Sequence, residues 1–187
     1  MLNDPSRPDL GEKKDILRFF KCRPHLSAFI GRCSVNTVDY KNIRVCHEFN
    51  LFGDHVADLA VGDATANEYC FIEFENATKT SIFKAVPRMT PEWSSRFEHG
   101  FSQLVDWILW IENNRNTAGL AARFNAPSIR DNMLLVIGRI RHLADQGLKD
   151  RLTWRNDQVL VAAKTVSCIT FDKLYEDLST RYRWFTN

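Results

Sequence analysis

The residues best suited to chemistry lie between His47 and Glu75, in the run HEFNLFGDHVADLAVGDATANEYCFIEFE. It carries seven carboxylates (Glu48, Asp54, Asp58, Asp63, Glu68, Glu73 and Glu75) and neither Lys nor Arg. The rest of the chain is the reverse. Taking those seven from the 23 acidic residues leaves 16 against 25 basic ones, an excess of nine positive charges. Concentrated carboxylates suit a hard cation such as Mg²⁺ or Mn²⁺, and a basic remainder suits phosphate.

Spacing narrows the set. Residues 56–61 alternate as a strand, with Ala57, Leu59 and Val61 on one face and Asp58 on the other. Residues 62–67 form a turn-rich connector, in which Asp63 suits a turn, as Asp54 does before the first strand. Residues 69–75 read as a second strand. Cys70, Ile72 and Phe74 share one face, and Glu73 and Glu75 share the other with Tyr69 and Phe71. At about 3.3 Å per residue the two glutamates are roughly 6–7 Å apart along the strand. Antiparallel pairing brings Asp58 near both. Carboxylates so placed repel, each close pair costing about 4 kcal/mol at an effective dielectric of 20. On a solvated face they would need no ion. Tyr69 and Phe71 mark this face as covered, and covered carboxylates need partners. Asp58, Glu73 and Glu75 are therefore the candidate cation site.

The surrounding elements must position these groups. Asp9 and Glu12 have the spacing of a capping box for a helix to about residue 21, closed by Pro24 and followed by a helical turn over 25–29. Residues 43–51 read as the first core strand, with His47 and Glu48 on opposite faces. Residues 77–91 are a connector that offers Lys79, Lys84 and Arg88 to a phosphate backbone. The longest helical pattern runs over 93–114. Its stripe of Trp93, Phe97, Phe101, Leu104, Ile108 and Ile111 must pack on the sheet. Arg96, His99, Gln103, Asp106 and Trp110 fill a neighbouring strip, and His99 and Gln103 stack four residues apart. His99 is a candidate for phosphate contact or proton transfer. Residues 118–131 read as a loop with one helical turn, broken at Pro127. The run 132–140, containing MLLVIG, has the continuous apolar character of a strand buried on both faces. A basic helix over 145–156 carries Lys149, Arg151 and Arg155, which could track DNA. Residues 166–171 form the last strand, and Thr170 or Asp172 caps a closing helix.

An acidic residue on one strand, followed by Glu-x-(Lys or Glu) on the next, is the layout of the PD-(D/E)xK nuclease core. Over residues 10–184 the sequence resembles that superfamily, and more narrowly the nuclease domain of the Shedu anti-phage defence family. The resemblance is carried by the amino-terminal helix, GDHVADLAV, YCFIEFE, the helix bearing Gln103, LLVIGR and ITFDKLYEDL. It implies an α/β fold in which helices flank a mixed central sheet of four to six strands, the restriction-endonuclease-like core. It also implies metal-dependent hydrolysis of DNA, with Asp58 and Glu73 holding Mg²⁺ or Mn²⁺ and Gln103 completing the motif. Gln is a neutral donor and acceptor that can orient water or a phosphate oxygen. The family usually has Lys two residues after the catalytic Glu, and here that position is Glu75. Restriction endonucleases with this core can use a second Glu there, which gives Glu75 the role of general base or additional ligand. Lys79 and Lys84 are candidates to stand in for the lysine. The alternative is a nuclease-fold module that has lost turnover and binds nucleic acid or a protein partner. A third reading keeps the core and changes the substrate.

The whole chain fits one soluble domain. Its 187 residues, 44% of them hydrophobic, suffice for a sizeable core over residues 9–187 behind a flexible tail of eight. No run approaches about 18 apolar residues, so no membrane partner is expected. The polar start is unlike a secretory signal. Five cysteines without CxxC spacing point to free thiols in a reducing cytoplasm and argue against zinc. Trp110, Trp154 and Trp184 are candidate anchors for a homo-oligomeric interface.

Overall fold

The computed structural model describes residues 2, 4, 6, 9–31, 42–85, 90–143 and 145–186. Six strands form one sheet: β1 (Ile43–Phe52), β2 (His55–Asp63), β3 (Glu68–Phe74), β4 (Arg130–Val136), β5 (Leu160–Val161) and β6 (Lys164–Ile169). Their order is β1-β2-β3-β4-β6-β5. The first three make an antiparallel meander, β3, β4 and β6 run parallel, and β5 closes the edge antiparallel to β6. A π-helical turn, Glu12–Leu17, continues into α1 (Arg18–Lys21) and is followed by α2 (Pro24–Gly31). Between β3 and β4 lie α3 (Ser95–Asn113) and α4 (Ala118–Phe124); α5 (Gln146–Gln158) and α6 (Phe171–Thr186) complete the chain. The fold is α/β, a mixed sheet flanked by helices.

Apolar periodicity explains the layering. One face of the sheet offers Phe71, Met133, Leu135 and Val166 to the α3 stripe of Phe97, Phe101, Leu104, Ile108 and Ile111. The other face offers Ile72, Phe74, Leu134 and Val136 to Phe20, Ile30, Phe171 and Leu174. β3 and β4 are thus buried on both sides, as a continuous apolar run requires. Ser94 begins α3 by accepting the Phe97 N–H at 2.9 Å. Trp93 lies just before the helix, bridged to Phe83.

Several local expectations give way. The Asp9–Glu12 capping box does not form. Gly11 occupies the N-cap, the Asp15 carboxylate accepts the Gly11 N–H at 2.8 Å, and Glu12 turns to Arg96 instead. The alternation of β2 breaks at Asp58: Leu59 and Val61 join one core, whereas Ala57 joins the other. Opposite Asp58, Glu48 has a left-handed φ of 51°, and the ladder passes from His47–Leu59 to Phe49–Ala57 without that rung. Residues 118–131 contain a whole helix, α4, capped by Thr117 and closed by Asn125 at φ 54°. β5 has no strand signal of its own. Within the expected tail, Leu2 is buried and its carbonyl accepts from the buried guanidinium of Arg139.

Cys22 and Cys46 are exposed, Cys70 and Cys168 are buried, and Cys33 lies outside the described residues. Among the described residues, no helix is long and apolar enough to cross a membrane. Trp154 is 64% exposed, while Trp110 stacks on Phe52.

The far end of α3 is fixed by charge. Lys164 Nζ reaches Asp131 at 2.6 and 2.7 Å and Glu112 at 2.5 Å, tying α3 to the starts of β4 and β6. The Asp131 side chain is fully buried. Arg115, first, and Lys164 hold the Glu112 carboxyl down to about 2. We expect Lys164→Met to lose about 3 kcal/mol in urea titration, because it leaves the buried Asp131 carboxylate with Arg115 alone, at 3.5 Å. A depressed carboxyl stabilises above its ordinary pKa and loses that contribution as pH falls through its folded value. Acid should therefore weaken the wild type between about pH 4.5 and 2, and weaken Lys164→Met less steeply there.

Candidate active site

β2 and β3 stay paired only as far as the Leu59–Ile72 rung. Beyond it the main chains part, and the Phe74 N–H goes to the Asp58 carboxylate, Oδ2, at 2.9 Å. Glu75 follows with its own N–H on the Val136 carbonyl at 2.9 Å. Asp58, Glu73 and Glu75 thus gather where parallel strands β3 and β4 end. In open α/β sheets this carboxyl edge is where ligands bind.

α3 roofs the cluster. A Cβ added at Gly100 would stand 2.8 Å from Leu135 Cδ1 and 3.2 Å from Glu75 Cγ, so only glycine lets the helix come this close. Gln103 follows on the same face of α3 three residues later. Its Oε1 is buried and, among the described residues, holds no hydrogen bond, and the same is true of Glu73 Oε2. Glu73 is 8% exposed and Glu75 2%. A buried polar oxygen without a partner costs about 1–3 kcal/mol. Both oxygens, one on β3 and one on α3, are left able to accept a hydrogen bond.

The electrostatics agree with the crowding. Burial raises the Asp58 carboxyl, the Phe74 hydrogen bond opposes it, and the charges of Glu12 and Glu75 add to the rise. Glu73 is raised further, by burial first and then by Asp58 and Glu75. Burial also pushes Glu75 up to about 7, against the pull of the Arg96 guanidinium. Arg96 NH1 donates to Glu75 Oε2 at 3.0 Å and to Glu12 Oε2 at 3.2 Å.

The geometry therefore brings Asp58, Glu73 and Glu75 together and lays Gln103's helix over them. The basic candidates fare differently. Lys84 is committed to Glu92 at 2.8 Å, Lys79 and His99 are exposed, and Arg88 lies outside the described residues. Neither lysine is the cation bonded to the cluster. That is Arg96, which the sequence placed on the Gln103 strip without a role. The arginines of α5 are also spoken for. Arg151 lies over Phe83 and Trp93, and Arg155 lies over Phe97 and Phe101 while gripping Glu98 at 2.9 and 3.1 Å.

Among the described residues, no three His, Cys, Asp or Glu side chains group closely enough to hold a metal by themselves. Mg²⁺ does not ask for that. It is commonly held by one or two carboxylates, with waters and substrate phosphate filling the other positions. The Asp58 and Glu73 pair, with one orphaned buried oxygen and mutual repulsion, fits such an ion.

Fold and site together define an α/β domain with a roofed carboxylate cluster at the carboxyl edge of its parallel strands. The sequence model of the family described as Shedu protein SduA, C-terminal, matches residues 10–175, and the chain belongs to that family. Membership supports a role in anti-phage defence. No curated protein matches the sequence.

Raised carboxyls imply a stability test. An acid whose folded pKa lies above its ordinary value destabilises the fold as pH rises toward that folded value. Glu73→Gln should therefore be more stable than the metal-free wild type at about pH 8, by roughly 1–3 kcal/mol. The gap should narrow toward about pH 5. Calorimetric melting at the two pH values checks this. A Glu73→Gln protein less stable than wild type at the higher pH would place the carboxylate in an ordinary structural pairing.

Proposed function

We propose that the domain hydrolyses DNA phosphodiester bonds with Mg²⁺ or Mn²⁺, as the chemistry of an anti-phage defence protein. The observation that carries this reading is the orphaned, buried Glu73 Oε2, set against Asp58 under a helix that carries a second orphaned oxygen, Gln103 Oε1. Asp58 and Glu73 would hold the ion. When bound, it supplies charge for the phosphoryl oxygen and lowers the pKa of a water.

The chain's own groups do the rest. Gln103 orients the attacking water or a phosphate oxygen, since it both donates and accepts. Glu75 takes the proton of that water or serves as an additional ligand. Hydrolysis joins the water oxygen to phosphorus and breaks one ester P–O bond, and a proton ends on the departing hydroxyl. α3 excludes bulk water from the carboxylates, which strengthens every charge interaction beneath it.

A second reading, a module that binds but no longer turns over, draws on one observation. Glu75 stands 2% exposed at the position of the usual lysine, with one oxygen tied to Arg96. Nicking of plasmid DNA in Mg²⁺ and in Mn²⁺ separates the two. We expect wild type to cleave, Asp58→Ala and Glu73→Ala to be silent, and Glu75→Ala to be strongly impaired. Calorimetry should show at least about a hundredfold loss of metal affinity in Asp58→Ala. If wild type is silent under both metals while Glu75→Lys cleaves, the chain is a degenerate nuclease and the hydrolytic reading falls.

A further inference from the structure

We infer that Arg96 is the anion-binding group of this site, and that the open edge of its guanidinium receives a phosphate oxygen of the substrate. The inference rests on the reading that the substrate is a phosphodiester. It adds a group that the carboxylate motif does not contain.

Three observations carry it. First, Arg96 spends only one nitrogen on the protein. NH1 meets Glu75 Oε2 at 3.0 Å and Glu12 Oε2 at 3.2 Å, and among the described residues Nε and NH2 hold no hydrogen bond. A guanidinium is a planar fork of five N–H donors that matches phosphate edge-on. One edge is anchored and the other is free.

Second, its exposure is graded. The Arg96 side chain is 45% exposed, whereas the Glu75 carboxylate it grips is 2% exposed. Arg96 therefore spans from the buried cluster to solvent, where a polyanion would arrive. Its two anchors come from separate elements, the π-helical turn and the end of β3. They hold a long side chain whose free rotation would otherwise oppose binding.

Third, the position is electrostatically costly for the helix alone. Arg96 lies in the first turn of α3, where the helix dipole disfavours a cation. The carboxylates below offset that cost. Nearby cations are engaged elsewhere: Lys84 with Glu92, and Arg155 with Glu98 and three aromatic rings.

The test is binding, read independently of cleavage. Affinity for a short fluorescent DNA duplex is measured without metal across roughly 50–200 mM salt. Each phosphate neutralised contributes about 0.9 to the slope of log affinity against log salt. Arg96→Ala should lower that slope by about one such unit and weaken binding about tenfold. Arg96→Lys, which keeps the charge and loses the fork, should retain the slope with affinity in between. Removing Arg96 leaves Glu75 buried and unpaired, which could compromise folding. Arg96→Ala/Glu75→Gln, compared with Glu75→Gln alone, removes that objection and should show the same loss of slope. An unchanged slope in both Arg96→Ala proteins overturns the inference, even if wild type cleaves DNA. A lost slope in a protein that never cleaves supports the anion site while the hydrolytic reading falls.

Discussion

Everything near the carboxyl edge follows from placing three carboxyl groups under a helix. β3 is buried on both faces because its neighbours and α3 demand it, yet Glu73 and the following Glu75 sit on its covered side. The fold meets part of the resulting cost locally. Asp58 takes the Phe74 N–H that the parting strands leave open, and Arg96 neutralises Glu75. It leaves the remainder unmet, in Glu73 Oε2 and Gln103 Oε1. Two unmet buried oxygens cost about 1–3 kcal/mol each, a sizeable fraction of a domain's net stability. A packed apolar pair at the same positions would be more stable. The site is therefore organised at the expense of stability, which is the usual relation between a binding site and its scaffold.

That expense is tolerable because α3 is secured elsewhere. It runs from the site, where Gly100 nearly touches Leu135 and Glu75, to the opposite end of the sheet, where Lys164 clamps Glu112 and Asp131. Between them, four stripe residues, Phe101, Leu104, Ile108 and Ile111, enter the core. Arg155 fastens the outer flank through Glu98 and the aromatic rings. Helix position is fixed by groups that have no part in the chemistry. The carboxylates beneath are then not needed to hold the helix in place.

The strongest sequence signals were period and apolar run. They located β1 to β4 and the α3 stripe, and set Asp58 on the strand beside Glu73 and Glu75. What they missed involves backbone geometry or long-range pairing. The re-aiming of β2 at Asp58 depends on Glu48 adopting φ 51° across the ladder, which no composition announces. The hairpin between β5 and β6 turns on Ala162 and Ala163, at φ 51° and 61°, where Asn-Gly would be the usual signal. The capping box does not form because the helix starts at Glu12 behind Gly11, and the Glu12 carboxylate pairs with Arg96, 84 residues away. The same pairing gives Arg96 its place at the cluster, which its position on the helix strip does not announce.

The basic surplus of the chain also reads differently once the partners are known. Nine excess positive charges outside the acidic stretch suggested a broad phosphate-tracking surface. In the fold, Arg139 is fully buried beside Asp172 and the Leu2 carbonyl. Arg115 and Lys164 serve the Glu112–Asp131 clamp. Arg123, Arg151 and Arg155 lie over aromatic rings, where their stems and guanidinium planes do the work of apolar packing. Paired with carboxylates, Arg115, Arg139, Arg155 and Lys164 add little net charge to such a surface. Screening reinforces the point, because exposed charges more than about 8–10 Å apart scarcely add at physiological salt. The electrostatic case for a nucleic-acid substrate thus moves from the net charge to the mouth of the site. There, one half-exposed guanidinium stands directly against Glu75, at the edge of the carboxylate cluster.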